Sequence, residues 1–106
     1  MTFRGGVAEL MRQAHRMQRR IERRKEELKA QTVEASSGND RITVCVNGGQ
    51  ELVRVRIEPA LLEQEELSMI EDLLVAAANA ALKKSQEMVD AEIETVTGGL
   101  KIPGLF

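Results

Sequence analysis

Arg12, Arg16, Arg19 and Arg23 follow one another at spacings of four, three and four residues. On a helix that spacing stacks all four guanidinium groups on one face. The row spans about 16 Å at a rise of roughly 1.5 Å per residue. A row of fixed cations of that kind suits a row of phosphates, because arginine makes paired, planar hydrogen bonds to phosphate oxygens. A merely solvated helix face is the competing reading. Such a face interleaves Glu with Lys at i, i+4, whereas here Glu9 and Glu26 only bracket the row.

The same segment carries a second stripe. Val7, Leu10, Ala14, Met17, Ile21 and Leu28 recur at heptad spacing, with Arg24 interrupting the pattern. The apolar stripe lies opposite the arginines, so one side of the helix calls for a partner and the other presents charge. The pattern predicts a first helix over about 7–30. Residues 1–6, ending in Gly5-Gly6, read as a flexible lead.

Three short strands should follow. Val33 and Ala35 alternate with Thr32, Glu34 and Ser36. Ile42, Val44 and Val46 alternate with Thr43, Cys45 and Asn47, and Val53, Val55 and Ile57 alternate with Arg54, Arg56 and Glu58. The turn words are Ser37-Gly38-Asn39-Asp40 and Asn47-Gly48-Gly49, the second a hairpin signal through residues that tolerate positive φ. Pro59 ends the last strand. The expectation is an antiparallel meander with one apolar face. A second helix should start near Glu63, with Glu63, Glu65 and Glu66 at its N-terminus. It carries its own heptad (Leu67, Ile70, Leu74, Ala77, Ala81, Met88, Ala91) with Lys84 as the exception, and should stop near Thr97, before Gly98-Gly99. That is about 50 Å of helix, too long for a compact 106-residue globule with a radius of gyration near 13 Å. It must project. The two helices are expected to pair antiparallel, with alanines at 76, 77, 78, 80 and 81 allowing close approach. The fold class is α+β, in a single domain over 1–106 with a Gly/Pro-containing tail over 98–106.

Composition narrows the function. Net charge is −2. Residues 1–30, however, hold nine Lys/Arg against four Glu, a local +5, and the remainder carries −7. Local fields rather than net charge steer partners. Phe3 and Phe106 are the only aromatics, which argues against base-stacking single-strand readers. Cys45 is the only cysteine, which suits a reducing, cytoplasmic setting. It lies opposite the apolar strand face, where packing or a dimer interface is expected rather than catalysis. His15 has no second ligand at metal spacing and reads as a surface neighbour of the arginine row. Gly48-Gly49 lacks the Lys-Ser/Thr of a phosphate loop. No nucleophile–base pair, metal cluster or cofactor loop is present, so no enzyme, cofactor or small-molecule substrate is expected. No apolar run reaches the length of a membrane span.

Four words in this order are similar to the YbaB/EbfC family of bacterial nucleoid-associated proteins: LMRQAHRMQRRI, VNGGQELVRVRIEPALL, EDLLVAAANAALKKSQE and TGGLKIPGLF. The resemblance covers nearly the whole chain. It implies a homodimer with central sheets and two helical arms projecting like tweezers. It further implies double-stranded DNA bound with little sequence preference, in the nucleoid. Family DNA contacts are attributed to the arms. On this chain they fall on Arg12, Arg16, Arg19 and Arg23, and more weakly on Lys83 and Lys84. Arg20 and Arg24 flank the row nearer the seam. They either join the phosphate contacts or pair with acids of the second helix such as Glu87 or Glu92. Glu58 stands where the family commonly has Asp, and the first helix is richer in arginine than is usual. The alternative function is a coiled-coil adaptor whose arginine face meets an acidic protein or RNA. A membrane-surface basic helix is a weaker third reading, because the apolar stripe lacks Trp and Phe.

Overall fold

A computed structural model describes residues 3–99. The order of elements is α1 (Phe3–Leu28), β1 (Thr32–Ser37), β2 (Ile42–Asn47), β3 (Leu52–Ile57), α2 (Leu61–Gln64) and α3 (Leu67–Thr97). The strands form one antiparallel sheet in the order β1-β2-β3, as the alternation requires. The molecule measures 77 × 21 × 16 Å with a radius of gyration of 20.3 Å. A globule of this length would be near 13 Å, so the helices do project.

The core lies between the sheet and the first half of α3. Ile42, Val44 and Val46 are fully buried and pack with Leu61, Ile70, Ala77 and Ala81, and Val33, Ala35 and Ile57 close the edges. Each large aliphatic side chain removed from water here contributes roughly 1.5–3 kcal/mol. The alanines thus serve a different contact from the one expected. Ala77 and Ala81 let α3 lie close on β1 and β2 rather than on α1. The buried stripe of α3 steps by four through Ala77, Ala81, Ser85 and Val89. It therefore passes beside Lys84, which lies outside the seam. Ser85 donates to the Asn47 carbonyl at 2.7 Å and accepts from Gln50 Nε2 at 2.9 Å, tying α3 to the β2–β3 turn.

Several local expectations are corrected. The segment 3–6 is already helical, with Gly5 and Gly6 inside α1; residues 1–2 of the expected lead lie outside the described residues. The second helix is broken. Extended backbone at Glu65 and Glu66 separates α2 from α3, and Glu65 faces Arg41 at 3.7 Å. α3 ends where expected, with Gly98 left-handed at φ 65° and the Gly99 amide bonded to the Glu94 carbonyl at 3.1 Å. In the β2–β3 turn the positive φ falls on Gln50, at 63°, and not on Gly48 or Gly49. Asn47 Oδ1 accepts the amides of Gly49 (2.9 Å) and Glu51 (3.1 Å), which shapes the loop without glycine's help. Gly48 is required for another reason. A Cβ there would sit 2.3 Å from the Leu28 carbonyl oxygen, because the Gly48 amide bonds that carbonyl at 3.1 Å. The hairpin tip thereby fastens the last turn of α1. A bulge between Cys45 and Val46 pairs Leu52, not Val53, with Val46. Val53 is the extra residue, so β3 does not alternate cleanly along its length.

Candidate nucleic-acid interface

α1 and α3 run antiparallel, and Arg24 sets their register. Its guanidinium bonds Glu92 at 2.7 Å across the pair and Glu27 at 3.1 Å on its own helix. The Glu92 hydrogen bond, then that of Glu27, holds the Arg24 pKa above the usual arginine value. Arg24 is therefore a clasp in the seam, positioned by the heptad. Of the two acids expected as partners, Glu92 is the one engaged. From that pair, at equal rise per residue, Thr97 lies opposite Arg19. Beyond that point no described element runs beside α1. Ile21 and Leu28 are buried, Ala14 and Met17 are half-buried, and Leu10 and Val7 are 66% and 59% exposed. Among the described residues the seam is thus covered only over its C-terminal half.

The opposite face carries the charge. Arg12, Arg16, Arg19, Arg20 and Arg23 are all exposed. Arg12 is bonded to Glu9 through Nη2 at 2.7 Å and Nε at 3.2 Å. Among the described residues, Arg16, Arg19, Arg20 and Arg23 take part in none of the ion pairs. Like charges at i, i+4 destabilise a helix by a few tenths of a kcal/mol per pair, so helix stability does not account for this row. At roughly 3.4 Å of axial rise per phosphate along one strand, a 16 Å row matches about five steps. His15 is exposed and, by helical position, sits between Arg12 and Arg19.

The lysines do not join this face. Register places Lys83 and Lys84 past the end of α1, about 15 Å along from Arg23. Lys84 Nζ donates to the Glu34 carbonyl of β1 at 3.1 Å, and Lys83 is exposed. Cys45 is nearly fully buried on the outer sheet face. It is flanked by Glu34 on one strand and Arg54 on the other, and these two bond each other at 2.9 Å above it. The thiol is packing under an ion pair. Single-strand alternation could not reveal this, because the lid comes from two other strands. Glu65 and Glu66 line a shallow cleft with Gln64, Ser68, Met69 and Asp72, a surface that repels phosphate. No helix among the described residues is long and apolar enough to cross a membrane.

Comparison with known proteins agrees with this geometry. The chain is 47% identical over 105 residues to a nucleoid-associated protein of Acetivibrio thermocellus, covering 98% of this chain and 93% of that one. It is 42% identical over 102 residues to a nucleoid-associated protein of Pelotomaculum thermopropionicum, covering 96% and 97%. The crystal structure of protein HP0035 from Helicobacter pylori superposes with a TM-score of 0.62 at 26% identity, over 72% of this chain and 88% of that one. The family model of the YbaB/EbfC DNA-binding family matches residues 4–100. The basic α1, the three-stranded sheet and the long second helix are thus the parts of one known architecture, and the chain belongs to the YbaB/EbfC DNA-binding family.

Proposed function

We propose that a homodimer of this chain binds double-stranded DNA with little sequence preference, as a nucleoid-associated protein of the bacterial cytoplasm. The observation that carries this reading is the set of exposed arginines on α1, Arg16, Arg19, Arg20 and Arg23, without an acidic partner among the described residues. Arg12 joins by exchanging Glu9 for phosphate. Arg24 stays in the seam. Lys83 and Lys84 are secondary, because they sit at the base of the arm. Phosphate contacts position a protein on DNA but carry no base information. With no aromatic side chain among residues 6–28 of the arm, discrimination between sequences is poor. Occupancy along DNA then bears on nucleoid organisation and gene expression without any chemical step.

The dimer reading rests on β3. α3 covers β1 and β2, whereas Leu52, Val53 and Val55 on the edge strand stay 51%, 53% and 42% exposed. An open apolar edge strand is a template for pairing with another chain. A second copy across β3 would place two arms on one assembly.

The test is fluorescence anisotropy with a labelled random duplex of about 20 bp, titrated over several salt concentrations. Eight phosphate contacts per dimer set a ceiling near −7 for the log–log salt slope. The triple variant Arg16→Ala/Arg19→Ala/Arg23→Ala should flatten it by up to roughly 3 per engaged arm. No binding by the unmodified protein at low salt would remove the DNA reading and leave the protein-adaptor reading in its place.

A further inference from the structure

His15 is the only histidine of the chain. It follows Arg12 by three residues and precedes Arg19 by four, so both guanidinium groups lie about one helical turn from the imidazole. It is exposed, on the shoulder of the arginine row and away from the seam lined by Ala14, Met17 and Ile21. Among the described residues it takes part in none of the ion pairs. The nearest acids along α1 are Glu9 and Glu22. Glu9 is bonded to Arg12 at 2.7 Å and accepts from Gln13 Nε2 at 3.4 Å. Glu22 is about 10 Å away along the axis. On α3, the element packed against α1, the last carboxylates are Glu92, held by Arg24, and Glu94, which register places level with Glu22. Among the described residues, the charged groups about one turn from His15 are therefore Arg12, Arg16 and Arg19.

We propose that His15 is a further phosphate contact of the arginine row, one that adds charge only when its imidazole is protonated. The inference rests on the DNA reading above and adds to it a dependence on pH. Arg12 and Arg19 are about 10 Å apart along the helix, and successive phosphates of a strand rise by roughly 3.4 Å. A strand that engages both arginines therefore carries a phosphate past His15. A neutral imidazole offers that phosphate one N–H donor and no charge, whereas the imidazolium offers two donors and a full positive charge. Histidine is the side chain whose ordinary pKa, about 6.5, puts this change between about pH 5 and 8. Over that range arginine stays charged and ordinary carboxylates are ionised. An anion against the ring favours the protonated form, so DNA binding takes up a proton. By linkage, binding is strengthened in acid, and the gain is lost as pH rises through the pKa of the bound state.

The test repeats the salt titration of the full chain with the labelled duplex at about pH 5.5 and about pH 8, on either side of the histidine range. The log–log slope of the unmodified protein should be steeper at the lower pH by about 0.9 for each engaged imidazole. A fourfold rise in salt then costs about 3.5-fold more affinity at the lower pH than at the higher, per imidazole. His15→Gln keeps an N–H donor but cannot charge, and should give the shallow slope at both pH values. His15→Lys carries a fixed cation and should give the steep slope at both. A change in helix stability alone would not produce this pattern, because it would not follow the charge at position 15. Equal slopes for the unmodified protein at the two pH values would overturn the proposal while leaving the DNA reading intact. A pH effect that survives in His15→Gln belongs to another group and would overturn it as well. Absence of binding at both pH values, even at low salt, would remove the DNA reading itself and this inference with it.

Discussion

The two halves of α1 are written in one pattern and live in different surroundings. From Ile21 to Leu28 the seam is buried, Arg24 reaches across to Glu92, and the Leu28 carbonyl is held by Gly48. From Val7 to Met11 the same helix face is exposed. Arg23 and Arg24 make the contrast sharpest. They are adjacent and chemically identical, yet Arg24 points into the seam and Arg23 points away from it. A residue's role here is set by what the fold places opposite its helical position, not by its type. The half that is clamped orients the arm. The half that projects is free to meet a ligand.

Breaking the clamp should have the largest effect. Leu28→Ala removes a fully buried side chain where α1 meets the hairpin. Equilibrium denaturation should show a loss of about 2–5 kcal/mol. The salt slope of DNA binding by the protein that remains folded should not change, since every arginine of the exposed face is still in place. Gly48→Ala comes next. The added methyl must displace the Leu28 backbone, and overpacking of this kind costs about 1–3 kcal/mol. The same variant should widen the range of arm orientations, read by scattering. The smallest but most discriminating effect is a pair of single substitutions. Arg23→Ala should leave the melting temperature unchanged and reduce the salt slope by about 0.9 for each phosphate that Arg23 neutralises. Arg24→Ala should do the reverse, lowering the melting temperature while the slope holds. If both variants changed only the slope, the seam assignment of Arg24 would be wrong. The triple arginine variant extends the same comparison to the whole face.

Much of the fold was legible because it is periodic. Two-residue alternation placed Ile42, Val44 and Val46 on one buried face, and the Gly98-Gly99 stop of α3 followed from glycine's access to the left-handed region. The misreadings share a cause. Each depended on a residue distant in sequence. Gly48 looked like a turn glycine, but its missing Cβ makes room for Leu28. Val53 looked like a strand residue, but the register against β2 makes it a bulge. Lys84 looked like a seam defect, but the sheet shifts the buried stripe to Ser85 and Val89. Glu65 and Glu66 looked like the first turn of a long helix, yet they lie in an extended break before it. The expected tail beyond Gly99 lies outside the described residues.

The sequence by itself determined which residues share a face. Helical and strand periods are local properties of the backbone, so four arginines at i, i+4, i+7 and i+11 must lie on one side of α1 wherever that helix goes. Tertiary structure decided which faces are covered. Burial depends on where another segment begins and ends, and those lengths place the end of α3 opposite Arg19. That single juxtaposition turns one uniform amphipathic helix into an anchored half and a projecting half.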